Sequence, residues 1–243
     1  LMAYNSNKIE GSTLTEEQTA SLFDTGVLPK SEDYYRAKDV EEMNGHFKMF
    51  NYVMKCMEKP LSEDIIKNMH KNLKEGVFED RANGYAIGGW KKRANRVSDI
   101  QTALPQEVPE KIHQLLEKYH NAEKITLYDI AKFHAQFENI HPFQDGNGRT
   151  GRLILNYMLE KEGYPPIALK HDAKQDYKKS LEEWQVRGNP KMFLDVVKNC
   201  VLDELQERIH IITVTRETMK ALNMDLNYEN SKEQMELDDD LEI

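Results

Sequence analysis

Apolar residues recur along most of the chain at steps of three and four, the spacing that places them on one face of an α-helix. The longest such stripe predicts one helix over residues 32–58. Its apolar members are Val40, Met43, Phe47, Phe50, Met54 and Met57. Because stripes of this kind dominate the chain, the pattern predicts an all-α helical bundle.

Capping and breaking residues predict where further helices begin and end. Thr15 is placed to cap a short helix over Glu16–Phe23, which Gly26 terminates, and Ser62 begins a helix that ends near Gly76. Thr126, with an acid three residues later, resembles a capping box. The other helices are predicted over residues 109–120, 126–140, 174–186 and 190–213, with one more that follows residue 152 and ends at Gly163.

One region interrupts the helical pattern. In the stretch Gly84–Asp99, glycines and an asparagine lie among β-forming residues, which predicts a short, irregular β-hairpin. The predicted fold is therefore an all-α bundle with one small β-hairpin flap, at about residues 84–97.

Composition and charge narrow the classes of function. The chain has 243 residues, of which 39% are hydrophobic and 31% charged, enough apolar material for a core. The last fifteen residues carry six of the nine net negative charges, so the remainder is close to neutral and direct nucleic-acid binding is not expected. No apolar run approaches the roughly 20 residues of a membrane span. With no signal-peptide pattern at the start and two isolated cysteines, Cys56 and Cys200, we expect a cytoplasmic protein.

The stretch HPFQDGNGRTGR, residues 141–152, concentrates chemically active side chains. Pro142 disfavours helical geometry at His141, so the chain turns there. A glycine-rich run then leads into the next helix, where free backbone N–H groups and the helix dipole favour an anion. Gly146 and Gly148 allow close approach to a ligand, and Asn147 adds donors. The sequence predicts a phosphate site at this helix start.

Two arginines, one carboxylate and the histidine complete this site. Arg149 and Arg152 are three residues apart, so they share a helix face and suit successive phosphates. Asp145 beside a polyphosphate is the expected Mg²⁺ ligand, and His141 is placed to accept a proton from an attacking hydroxyl.

Less specific interpretations exist for each part of this stretch: a structural histidine, a Gly-Asn-Gly turn and a solvated arginine pair. His141 and Asp145 could also be two ligands of a transition metal. We favour the phosphate site because these alternatives do not explain why all the groups meet at one helix start.

This stretch resembles the signature of the Fic (Fido) family, HPFx[DE]GNGRxxR, at every specified position, and the resemblance extends over about residues 32–200. It implies a protein adenylyltransferase that moves AMP from ATP to a hydroxyl side chain (Ser, Thr or Tyr) of a target protein and releases pyrophosphate. It implies His141 as base, Asp145 as Mg²⁺ ligand, Gly146–Gly148 as the anion hole and Arg149 with Arg152 on the outer phosphates. The flap would align the target, with Tyr85 and Ile87 as candidate contacts.

A second motif lies near the start of the chain. SNKIEG, from Ser6 to Gly11, is similar to the inhibitory [ST]xxxE[GN] motif that some Fic proteins carry on an N-terminal helix, the class II type. The similarity implies that Glu10 pairs with Arg152 and occupies the charge site meant for the γ-phosphate. Ser6 is expected to bond near Asn147. The interpretation is therefore an autoinhibited enzyme.

Three other functions compete with this interpretation. The first is a de-AMPylating hydrolase in which Glu10 positions water, the second a Fic protein that transfers UMP or phosphate, and the third a module that only binds nucleotide. The target is another protein or the chain itself, and a homodimer is compatible with the sequence. The expected division is residues 1–30 as the inhibitory segment, 31–200 as the catalytic core, 201–227 as a helical extension and 228–243 as an acidic tail.

Overall fold

The computed structural model describes residues 1–30, 34–97 and 100–221, and these residues are predominantly helical. The helices are α1 (Met2–Ile9), α2 (Glu16–Thr25), α3 (Ala37–Lys55), α4 (Glu63–Lys74), α5 (Phe78–Ala82), α6 (Val108–His120), α7 (Leu127–Ile140), α8 (Asn147–Lys161), α9 (Lys174–Arg187) and α10 (Lys191–Ala221). Strands β1 (Arg96–Val97) and β2 (Ile100–Gln101) pair in an antiparallel manner. The predicted all-α class with one small hairpin is confirmed.

Residues 1–201 form one compact unit, and the described part of a second unit, residues 202–221, is helical throughout. Helix α10 runs to Ala221, beyond the predicted end at residue 213, because no glycine or proline interrupts the chain there. Within the described ranges, no helix is long and apolar enough to cross a membrane. The predicted acidic tail, residues 228–243, lies outside the described residues.

Local capping fixes three helix starts at the predicted places. Thr15 Oγ1 accepts from the N–H of Gln18 at the start of α2, and Gly26 ends that helix in the left-handed conformation. Ser62 caps α4 in the same way, and Thr126 forms a reciprocal capping box with Asp129 at α7. These three predictions are confirmed. They could be made from the sequence because each capping residue and its partner lie within one turn of the helix start.

The prediction for α3 is wrong at its start and in its buried face. The helix begins at Ala37, after an extended Arg36; residues 31–33, where the predicted start falls, lie outside the described residues. Met54 is 55% exposed, whereas the polar residues Glu42 and His46 are buried. These polar residues face inward because α3 packs beside the arginines of α8. A stripe chosen by hydrophobicity alone therefore misses the functional face.

The flap also differs from its prediction. The two-stranded ladder pairs Val97 with Ile100, so one strand lies beyond the predicted span; residues 98–99 between the strands lie outside the described residues. The stretch from residue 84 to 95 forms turns. Gly84 and Gly88 adopt positive φ, and the N–H of Gly88 donates to Nδ1 of His70 on α4. This contact ties the stretch to α4, and the stretch is not paired as a β-strand.

Helix α8 lies at the centre of the compact unit, with most of its residues buried from Arg149 to Leu159. It contacts α7, α4, α1 and α3. One side belongs to the main apolar core, which includes Phe137, Phe143 and Ile154. The first two turns of α8 instead present the arginines of the motif, so the candidate site is built where the buried helix begins.

Candidate active site

His141 connects α7 to the motif loop in a left-handed conformation, with φ 51°. Among the described residues, His141 is the non-glycine residue with a positive φ. The surrounding contacts hold the backbone in this conformation. Its N–H bonds to the carbonyl of Phe137, and Nδ1 lies 3.3 Å from the carbonyl of Glu138. Nδ1–H can therefore donate to that carbonyl, which leaves the lone pair on Nε2. Burial lowers the pKa of His141 to about 4, so the imidazole is unprotonated at neutral pH.

The loop is closed by its own side chains. Asn147 Oδ1 accepts from the N–H of Phe143 at 2.8 Å, and Asn147 Nδ2 donates to the Phe143 carbonyl at 2.9 Å. The Phe143 ring is fully buried and stacks on His70, with the ring centroids 3.8 Å apart, so it anchors the loop to the core. The Asn147 side chain thus shapes the loop, and the anion site depends on backbone N–H groups at the start of α8.

The turn segment of the flap, residues 84–95, is bonded to the same loop. The N–H of Lys91 donates to the Pro142 carbonyl at 2.8 Å, and Asn95 Nδ2 donates to the Phe143 carbonyl at 2.9 Å. His70 links both parts, since its Nε2 lies 3.0 Å from the Asp145 carbonyl while its Nδ1 accepts from Gly88. The flap and the motif loop are therefore positioned together.

Lys74 of α4 lies between three carboxylates beneath the loop. Its Nζ is 2.7 Å from Glu42, 2.5 Å from Asp80 and 2.6 Å from Asp145. Burial opposes ionisation of Asp145, but Lys74 and Arg149 outweigh it and hold the pKa of that carboxyl far below its usual range. Asp145 is thus a fixed carboxylate, with a side chain that is 42% exposed.

Arg149 is more buried than the sequence suggested, and it is held by an acid that the motif does not contain. Its side chain is 3% exposed and its guanidinium contacts Glu42 at 2.6 and 3.1 Å. Nη2 also lies 3.6 Å from Asp145. Sequence reasoning missed Glu42 because it lies on α3, far from the motif in the sequence. The sequence does contain a sign of its role, since Glu42 is a charged residue on a helix face that is expected to be buried.

Arg152 is bound by the N-terminal segment. Its Nη2 lies 2.6 Å from Glu10 Oε1, Nε donates to Ser6 Oγ at 2.9 Å, and Nη2 donates to the Ser6 carbonyl at 3.0 Å. The structure thus brings Glu10 to Arg152, as the motif implied. Ser6 bonds to Arg152 and not near Asn147, so that detail of the expectation is corrected.

Glu10 occupies the predicted anion site itself. A Cβ added at Gly148 would overlap Glu10 Oε1, so the carboxylate lies directly over the first turn of α8. Burial opposes its ionisation, but Arg152 and Arg149 lower the pKa of Glu10 below its ordinary value. Gly11 follows with φ 90° and allows the turn that ends α1 just after Glu10.

A cavity of about 160 Å³ opens beside His141. Its lining includes Glu10, Gly148, Val97, Ile100, Leu181 and Gln185. His141, the start of α8 at Gly148 and the flap ladder therefore meet at one cavity. Tyr85 and Ile87 are half-buried residues of the turn segment and do not line it. Sequence reasoning missed Val97 and Ile100 as lining residues, although both are β-branched. Val97 ends the predicted flap, and Ile100 lies three residues beyond it.

The described residues form a helical domain in which the buried helix α8 begins directly after a glycine-rich loop. Residues 60–159 of this domain match the Fic/DOC family.

Sequence and structure comparisons agree on this family. The chain is 25% identical over 200 residues to a "Protein adenylyltransferase Fic" of Nematostella vectensis, which covers 81% of this chain and 45% of that protein. A Fic-domain signalling protein of Bacteroides thetaiotaomicron has a TM-score of 0.74 and 26% identity, covering 84% of this chain and 83% of the other. Fic-1 of Caenorhabditis elegans has a TM-score of 0.76 and 23% identity, covering 88% and 63%.

The chain spans less than half the length of the curated relatives it matches, 45% of the Nematostella protein and 35% of a fic-1 protein from C. elegans. Those proteins are named for adenylyl transfer, and neither is named for removal of AMP.

Proposed function

We propose that this chain transfers AMP from ATP to a hydroxyl group of a protein through the site at His141. The observation that carries the proposal is the shared cavity, which is lined both by the unprotonated imidazole of His141 and by Gly148 at the start of α8. The names of the Fic relatives support the same activity.

The chemical step follows from this geometry. His141 Nε2 takes the proton of the target hydroxyl while the hydroxyl oxygen forms a bond to the α-phosphorus. The bond from the α-phosphorus to the bridging oxygen breaks, and that oxygen leaves as part of pyrophosphate. The protein acts through positioning and charge, which is how most phosphoryl-transfer sites work. Backbone N–H groups of Gly146–Gly148 and the guanidiniums of Arg149 and Arg152 would hold the phosphates.

Asp145 is the residue that we propose to hold Mg²⁺, which would neutralise charge on the phosphates. Glu42, Asp80 and Asp145 have carboxylate oxygens within 4.8 Å of one another, but the Lys74 ammonium lies against all three. A cation between them would have to displace Lys74. Asp145 alone is substantially exposed, at 42%, so it fits the single carboxylate that Mg²⁺ commonly uses beside phosphates.

The adenine and the target would occupy the rest of the cavity. Val97, Ile100 and Leu181 give it apolar walls, and Gln185 offers an amide that can bond to a base. We propose that the ladder next to Val97 and Ile100 aligns an extended target segment carrying Ser, Thr or Tyr, by main-chain pairing. Docking at Tyr85 and Ile87, a homodimer and a cytoplasmic location remain predictions.

Helix α1 is proposed to inhibit transfer. Glu10 contacts Arg152 and overlies Gly148. It therefore pairs with the guanidinium that would bind a phosphate, and it fills the space that the phosphate would occupy. ATP bound in this state would have its phosphates misaligned for attack. Release of α1, or substitution of Glu10, would restore the site.

The experiment that tests transfer is incubation of Glu10→Ala with ATP labelled at either the α- or the γ-phosphate, followed by mass spectrometry of the protein. We expect α-label on the protein with the mass of one AMP group on a hydroxyl side chain. γ-Label on the protein would mean phosphorylation. Binding of ATP without modification of the protein, or of proteins added as substrates, would leave only a nucleotide-binding module.

A further inference from the structure

Glu138 is a second carboxyl of the cavity, and the transfer step as described does not use it. It lies on the last turn of α7, three residues before His141, and its side chain is 11% exposed. Oε2 is 3.9 Å from His141 Nδ1. Oε1 is buried and has no hydrogen-bond partner within the described residues. A buried carboxyl oxygen without a partner costs free energy, so its retention beside a base needs a reason.

The motif itself makes room for this carboxyl. A Cβ added at Gly151 would overlap Glu138 Oε1 and would also come within 3.1 Å of the Phe137 ring. Gly151 therefore leaves the space in which the carboxyl lies, and packing holds the carboxyl there without a hydrogen bond. An apolar side chain of similar length would fill this space without the cost of a buried charge. The space beside Gly151 alone therefore does not explain why residue 138 is a glutamate.

Several charged groups face this pair. Burial raises the pKa of Glu138 to about 7, with Arg152 on α8 opposing the shift and Glu10 reinforcing it. Tyr177 on α9 also interacts with the Glu138 carboxyl. His141 is in addition influenced by Lys91, Glu10 and Asp145. Glu138 is thus the carboxyl of this group that titrates near neutral pH.

We propose that Glu138 is a positioning residue for His141, whose ionised carboxylate stabilises the imidazolium formed when Nε2 takes the hydroxyl proton. This proposal deepens the proposed function and rests on it for its catalytic consequence. The carboxylate does not take the proton itself: it stays ionised at 3.9 Å while the positive charge appears on the ring. The glutamate–histidine pair would act as the carboxylate of a catalytic triad does, by electrostatics.

The proposal gives transfer a pH dependence with a stated origin. Because the pKa of His141 lies at about 4, the imidazole is already unprotonated from pH 5 upward. A rise of activity near pH 7 therefore reports ionisation of Glu138, whose carboxyl is neutral below that pH and charged above it. If Glu10 is removed, a like charge is lost and the midpoint moves to lower pH.

The first experiment measures the coupling without catalysis. In the intact chain, imidazole signals of His141 are followed by NMR against pH, with assignment by their loss in His141→Ala. We expect an inflection near pH 7 that disappears in Glu138→Gln and persists in Glu160→Gln, a matched control that removes an exposed carboxylate of α8. Absence of the inflection in the wild-type chain, or its persistence in Glu138→Gln, would overturn the proposal.

The second experiment measures transfer against pH in the Glu10→Ala background. In this background the rise of activity should have its midpoint below that of the wild-type chain. Adding Glu138→Gln should abolish the rise and lower the rate at pH 8 by about 10- to 100-fold, a part of what a general base supplies. Because glutamine keeps the shape of the side chain, a rate at pH 8 equal to that of the parent would assign Glu138 a purely structural role. If the parent transfers nothing, the proposed function fails, while the NMR arm still decides the coupling of Glu138 to His141.

Discussion

Glu10 and Arg152 form an ion pair of 2.6 Å although they are 142 residues apart in the sequence. The Arg152 side chain is 6% exposed, so the guanidinium needs an anion beside it. Glu10 supplies that anion, and a phosphate of ATP could replace it. The contact that we propose to restrain the site therefore also stabilises a buried charge.

Ser6→Ala should release α1 only in part. The variant loses the hydrogen bond from Arg152 Nε to Ser6 Oγ, but it keeps the Ser6 carbonyl contact and Glu10. A hydrogen bond to a charged group contributes about 1.5–3 kcal/mol. The initial rate of self-modification should therefore rise above wild type and remain below that of Glu10→Ala. Ser21→Ala, which alters an exposed hydroxyl of α2, is the control. A rate equal to either reference would contradict the role of Ser6.

His141→Ala should separate binding from chemistry. In the Glu10→Ala background we expect transfer to fall by about 10²- to 10⁴-fold, the usual contribution of a general base. ATP affinity, measured by calorimetry, should stay close to that of the parent because the loop and α8 hold the phosphates. His113→Ala, an exposed histidine of α6, should change neither quantity. Near-parental transfer by the His141 variant would remove it from the mechanism.

Asp145→Ala should raise the Mg²⁺ concentration needed for half-maximal transfer, because it removes the exposed carboxylate of the cluster. The fold should survive because Lys74 keeps Glu42 and Asp80 as partners. A magnesium titration and a thermal unfolding curve measure the two effects. An unchanged titration would make Asp145 a structural partner of Lys74, and Asp24→Ala on the exposed surface of α2 provides the baseline.

The parts of this fold that the sequence predicts are those set by nearby residues. The helix starts at Thr15, Ser62 and Thr126 depend on a side chain and a backbone N–H within one turn. The proposed anion site likewise rests on one continuous stretch, because the glycines and the helix start lie side by side. Short-range physics is sufficient in these cases.

The parts that the sequence misses depend on partners far along the chain. Glu42 and Lys74 belong to α3 and α4, and only packing brings them to Arg149 and Asp145. Met43 of the predicted stripe is buried but Met54 is exposed, because the buried ion pairs of Glu42 also influence the orientation of α3. No local pattern contains that information.

Glu138→Gln should stabilise the protein at alkaline pH. Burial raises the folded-state pKa of Glu138 from 4.5 to about 7, so the wild-type chain loses stability as pH rises from about 4.5 through 7. Each pKa unit corresponds to about 1.4 kcal/mol, which gives roughly 2–4 kcal/mol in total. Denaturant unfolding should show the variant more stable than wild type at pH 8 and nearly equal to it at pH 4.5. Equal stability at pH 8 would show that this carboxyl has no elevated pKa.

The central claim is that Glu10 restrains AMP transfer at His141, and the most direct test compares initial rates of self-modification with α-labelled ATP. The set is wild type, Glu10→Ala, Glu10→Ala with His141→Ala, and Glu16→Ala as a matched control for loss of an exposed acid. We predict slow labelling of wild type and Glu16→Ala, a clear rise in Glu10→Ala, and loss of that rise when His141 is also replaced. Equal labelling of wild type and Glu10→Ala would contradict the claim, as would labelling that persists without His141.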